Sequence, residues 1–72
     1  MSNWRTYTEA QAARISSVVK YLLDKGLLEE EEERVARGIL NRLRGVRGGE
    51  LLAFTDAEDK LLRQLEESVW RQ

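Results

Sequence analysis

The sequence predicts an all-α, three-helix domain: a helical hairpin, a glycine-rich crossover and a capping third helix. Three observations carry that prediction. Apolar residues recur at three- and four-residue steps in three segments, each segment is bracketed by cap residues, and the chain of 72 residues contains no proline. The helices are expected over about 8–25, 29–44 and 55–71, within one domain spanning 1–72.

The first helix opens at Thr8, with Gln11 three residues on in capping-box spacing, and Tyr7 is placed to staple onto Ala12. Its apolar stripe is Ala12, Ile15, Val18, Val19, Leu22 and Leu23, and Gly26 after Lys25 is the stop signal. Tyr21 falls off the centre of that stripe, which suits an edge or an interface.

The second helix begins in five consecutive glutamates, Glu29 to Glu33, and continues through Arg34, Arg37, Arg42 and Arg44 to Arg47 with no acid among them. Acids at a helix start and cations at its end both complement the macrodipole. The apolar face is Val35, Ala36, Ile39, Leu40 and Leu43, and Gly45 ends the run. A turn as short as Gly26-Leu27-Leu28 between two amphipathic helices favours an antiparallel hairpin.

From Gly45 to Phe54 the pattern is irregular. Gly45, Gly48 and Gly49 permit positive φ, whereas Leu51, Leu52 and Phe54 need an apolar surface. They are expected to close the open end of the hairpin or to cross to a second subunit. The third helix starts at Thr55 with Glu58 in a second capping-box spacing, and carries Leu61, Leu62, Leu65 and Val69 on one face.

Composition excludes several chemistries. With no cysteine and no histidine, disulfides, the usual zinc, haem and iron–sulfur ligands, and Ser-His or Cys-His nucleophilic pairs are all missing. No metal, cofactor, catalytic residue or small-molecule substrate is therefore expected. A domain this small without a covalent or metal staple gains most cheaply from self-association, so a homodimer is expected. The first five residues lack the apolar run of a secretory signal and no window is long and apolar enough to span a bilayer. The expected compartment is the cytoplasm.

The charges read mostly as helix surface. Glu30 with Arg34, Glu33 with Arg37, Asp56 with Lys60, Asp59 with Arg63, and Glu67 with Arg71 are i, i+4 pairs with the acid first. The glutamate run and the Glu58-Asp59 pair read as solvated helix starts with nothing to desolvate them. Arg42, Arg44 and Arg47 lack an acid four residues earlier and are the cations left for a partner. A helix-turn-helix reading fails because the recognition helix would point five glutamates at phosphates. The Gly45-x-x-Gly48-Gly49 spacing follows a helix rather than a strand and lacks the Gly-Lys-Ser/Thr ending of a phosphate loop.

The aromatic residues point to partners. Trp4 precedes the first helix, and Trp70 lies roughly opposite the leucine stripe of the third. The expected function is a small protein-interaction module, an adaptor, regulator or inhibitor that docks on a larger protein or oligomerises, without catalysis. Its contact surface would use Trp4, Tyr7, Tyr21, Phe54 and Trp70 as anchors, with Arg42, Arg44 and Arg47 as orienting charges. The alternatives are a nucleic-acid-binding regulator using the arginine-rich end of the second helix, and an accessory subunit of a larger enzyme.

Overall fold

The chain forms its elements in the order β1 (Asn3–Thr6), α1 (Glu9–Asp24), α2 (Glu30–Leu43), β2 (Leu51–Phe54) and α3 (Asp56–Trp70). The computed structural model describes residues 3–70, and at 69 and 70 the backbone alone. Three helices stand where the apolar periodicity places them, so the fold is predominantly helical. It is not purely all-α: β1 and β2 pair antiparallel as a two-stranded sheet. The segment expected to close the hairpin as irregular chain does so as a strand, because Leu51 to Phe54 find backbone partners in the first residues of the sequence.

The caps form as their spacing implies. The Thr8 hydroxyl accepts from the Gln11 N–H at 3.0 Å, and the Gln11 side chain accepts from the Thr8 N–H at 3.0 Å. Tyr7 and Ala12 flank this box and are both buried, the arrangement of a hydrophobic staple. At the other end Gly26 adopts φ +64. Its N–H donates to the Leu23 carbonyl at 3.2 Å and the Leu27 N–H to the Leu22 carbonyl at 3.0 Å. This pair of bonds is a Schellman motif, and it turns the chain into α2.

The Glu32 carboxylate accepts from the Glu29 N–H at 3.1 Å ahead of α2, so one of the five glutamates satisfies a helix-start donor while the others complement the dipole. At the end of α2 the Arg44 N–H reaches the Leu40 carbonyl at 3.1 Å, followed by Gly45 at φ +75. The loop beyond folds back on the start of α1. Gly49 donates its N–H to the Tyr7 carbonyl at 3.0 Å, and a Cβ at Gly48 would lie 3.3 Å from the Glu9 nitrogen.

The core gathers Ile15 and Val19 of α1, Ala36, Ile39 and Leu43 of α2, and Leu61, Leu62 and Leu65 of α3, with Val46, Tyr7 and Phe54 closing one side. The Tyr7 and Phe54 rings meet edge to face, with centroids 6.5 Å apart and planes at 70°. α2 packs against both α1 and α3.

One side chain joins α2 to α3. Glu58 lies at 6 % exposure. Its carboxylate accepts from the Thr55 N–H at 2.8 Å and from the Arg42 Nε at 2.9 Å, and its own backbone N–H donates to the Thr55 hydroxyl at 3.2 Å in return. The sequence reading of Glu58 as a solvated carboxylate is thus corrected: Arg42 and the Thr55 amide supply the bonds that make its burial tolerable. Gly38 leaves the room. A Cβ at position 38 would lie 2.6 Å from Glu58 Oε2. Gly38→Ala, which at an ordinary mid-helix site would stabilise by about 1 kcal/mol, is expected here to destabilise by about 1 kcal/mol, because Glu58 is held at its other oxygen by two bonds. Urea denaturation of the variant checks this, and a raised midpoint would contradict it.

Candidate interaction surface

The pairing register sets Asn3 opposite Phe54, Trp4 opposite Ala53, Arg5 opposite Leu52 and Thr6 opposite Leu51. Directly opposed residues of an antiparallel pair share a face, and neighbours along a strand alternate. Asn3, Phe54, Arg5 and Leu52 therefore turn toward the helices, while Trp4, Ala53, Thr6 and Leu51 form the outer face. Exposure follows that division: Phe54 is 2 % exposed, whereas Trp4 is 60 % and Leu51 is 64 %.

The inner face is anchored by charge. Arg5 donates from Nε and Nη2 to Asp59 Oδ1 at 3.1 and 2.6 Å, and from Nη1 to Glu66. Asp59 Oδ2 also pairs with Arg63 Nε at 3.0 Å, the i, i+4 contact that the sequence spacing implies. Asn3 adds a bond from Nδ2 to Asp56 Oδ1 at 2.8 Å. Asp59, read from sequence as a wet-face carboxylate, is 9 % exposed, and the guanidinium fork of Arg5 is what compensates its desolvation. Burial alone would lower the Arg5 pKa. The Asp59 hydrogen bond and the surrounding negative charge outweigh it, so the group is held above its ordinary value.

Tyr7 follows β1 and its hydroxyl has no hydrogen-bond partner among the described residues. Burial, reinforced by the charge of Glu66, pushes its pKa upward, so the phenol stays protonated.

The residues expected to contact a partner separate into three groups. Trp4 and, 57 % exposed, Tyr21 are at the surface. Tyr7 at 3 % and Phe54 at 2 % belong to the core, which corrects their reading as anchors: the ribbon carries both rings inward, where they pack on each other. Arg42 is taken by Glu58, whereas Arg44 and Arg47 are exposed and their guanidinium groups have no partner among the described residues, although the Arg47 backbone N–H donates to Glu50 Oε1 at 3.1 Å. The Trp70 side chain lies outside the described residues. Tyr21 lies twelve residues along α1 from Glu9, about 18 Å on the helix axis, so α1 does not gather it with Trp4. Sequence reasoning missed Leu51 and Leu27, both more than 60 % exposed. Leu51 was detectable as the apolar start of a run bounded by Gly48-Gly49 and Thr55.

A groove of about 280 Å³ runs between the start of α2 and α3, lined by residues including Glu32, Val35, Lys60 and Leu61. It is smaller than most sites that enclose a metabolite. Among the described residues no helix is long and apolar enough to cross a membrane. No protein-family model matches the chain, and comparison with curated proteins and with solved structures gives no match.

Two outcomes follow for the inner face. Arg5→Met should cost about 2 to 3 kcal/mol in urea denaturation, below the range for a fully buried pair because the three side chains keep some solvent contact. A loss under about 0.5 kcal/mol would remove the ion pair from the account. For Tyr7, a folded pKa above the unfolded one means that the stabilising effect of the neutral phenol is complete below its ordinary 10.0 and is lost as pH rises through the raised value. The stability difference between Tyr7→Phe and the parent should be flat below about pH 10.0 and shift in favour of the phenylalanine variant as pH rises from there through the raised value. A pH-independent difference would contradict this.

Proposed function

We propose that the protein is a protein-interaction module without catalytic activity of its own, acting as a homodimer and docking through the outer face of the β1–β2 ribbon. The observation that carries this reading is the shared orientation of Trp4 and Leu51. Two large apolar side chains, each well over half exposed, lie diagonally across one small sheet, with only Thr6 and Ala53 between and beside them. Exposed tryptophan on a rigid element is the kind of residue that supplies binding energy when a partner removes it from water.

Rigidity supports the same reading. The ribbon is held on α3 by the Arg5 fork and by Asn3, so the face is presented in one geometry rather than formed on contact, which lowers the entropic cost of association. The guanidinium groups of Arg44 and Arg47, at the end of α2 and in the following loop, have no partner among the described residues and are available to orient an acidic partner and to speed encounter. The charged groups nearest the ribbon's inner face are engaged in fold-stabilising ion pairs, and this favours binding over acid–base chemistry.

A photo-crosslinking residue at position 4, compared with one at the exposed Asp24 of α1, tests the proposal. The expected result is protein adducts from position 4, to the chain itself or to another protein, at several times the yield from position 24. Equal yields from both positions would count against the ribbon face.

A further inference from the structure

We infer that the outer edge of β2 is where a second copy of this chain joins, extending the ribbon to a four-stranded antiparallel sheet in the order β1-β2-β2-β1. The inference rests on the interaction reading above and names its partner. Each strand of the ribbon has one neighbour, and among the described residues no loop or helix backbone donates to or accepts from the outward side of either strand. Two four-residue strands are fewer than a sheet needs to be stable by itself, so each row of free N–H and C=O groups is a template for another strand.

The two edges differ in how they are protected. β1 carries Arg5 pointing inward, a charge that an added strand would have to accommodate, and inward charges are one way natural sheets block edge pairing. β2 is Leu51-Leu52-Ala53-Phe54, with neither charge nor proline. An unguarded apolar edge beside a guarded one marks β2 as the joining side.

Symmetry and charge specify the occupant. An antiparallel strand pair can be related by a two-fold axis, so β2 is complementary to itself with no further surface required. The chain entering β2 carries Arg47, whose backbone N–H is bonded to Glu50 but whose exposed guanidinium has no partner among the described residues, and the chain leaving it carries Asp56, exposed and bonded on one oxygen by the neutral Asn3 amide. In an antiparallel pair the Arg47 end of one copy meets the Asp56 end of the other, twice. Inner and outer faces match only if opposed residues share a face. Centring the axis on Leu52 satisfies this and sets Leu51 of one copy opposite Ala53 of the other. The outer face then reads Trp4, Ala53, Leu51 of the second copy, and Thr6 of the second copy in one cross-strand row. Small Ala53 leaves Trp4 room to lean onto that leucine.

Sedimentation equilibrium of the intact chain is the first measurement, and a concentration-dependent dimer is expected. Leu51→Lys, at a side chain already in solvent, should weaken dimerisation at least about tenfold while circular dichroism and the melting profile stay close to the parent. Register is read by mixing two single variants, Leu51→Cys and Ala53→Cys, under mild oxidation. The mixed disulfide should form at least about tenfold faster than either self-disulfide, since only the 51-to-53 pairing brings the Cβ atoms within bonding range. A chain that stays monomeric into the millimolar range, or a dimer indifferent to Leu51→Lys, would overturn the inference. A monomer that still cross-links from position 4 to a different protein would do so while leaving the interaction surface standing.

Discussion

Arg5 ties the first strand of the chain to its last helix, and the exposed face of the molecule is a consequence of that tie. Its partners Asp59 and Glu66 lie 54 and 61 residues away in sequence, so the contact closes nearly the whole chain and must offset a large ordering entropy. A ribbon of two four-residue strands has little cohesion of its own. A charge-assisted fork in a partly desolvated setting, together with Phe54 seated in the core, supplies what the ribbon lacks. Strand parity does the rest. Once Arg5 points inward, Trp4 and Thr6 must point outward, and once Phe54 is buried, Ala53 and Leu51 share the outer face with them.

Glu58 is the second node on which the arrangement turns. The same carboxylate caps α3 through the Thr55 amide and receives Arg42 of α2, and it has room because residue 38 has no side chain. Local helix-start chemistry and long-range packing are thus carried by one group. The position of α3 relative to α2, and through Asp59 and Glu66 the landing site of β1, follows from it. Asp59 adjoins Glu58 on the first turn of α3, so the two acids of one helix start serve two different elements.

The helices were legible in sequence because their information is local. Thr8 with Gln11, Lys25 with Gly26, and Thr55 with Glu58 each form the cap that their spacing implies, and the observed helix bounds differ from the expected ones by a single residue, the expected end of the third helix at 71 lying outside the described residues. The sheet was not legible, because Asn3-Trp4-Arg5-Thr6 is too short to show an alternation and its partner lies near residue 52. The strand-forming character of Leu51 to Phe54 was visible as an apolar run after two glycines, but nothing in sequence says what it pairs with. The same non-locality explains the misread charges. Glu58 and Asp59 look like a wet helix start until Arg42 and Arg5 arrive from elsewhere, and Tyr7 and Phe54 look like free aromatics until the ribbon turns them inward. That Trp4 stands off the core was readable from its place before the first cap, whereas the exposure of Leu51 beside it required the register.

On the proposed reading, a binding surface is produced by the device that holds the fold together: an ion pair on the inner side of two strands presents apolar side chains on the outer side. Solution NMR tests this link most directly, by cross-strand nuclear Overhauser contacts between residues 3–6 and 51–54 in the parent and in Arg5→Ala. The account predicts Trp4-to-Ala53 and Arg5-to-Leu52 contacts in the parent and their loss in the variant while the three helices persist. A parent chain without those contacts, or a variant that retains them in full, would contradict it.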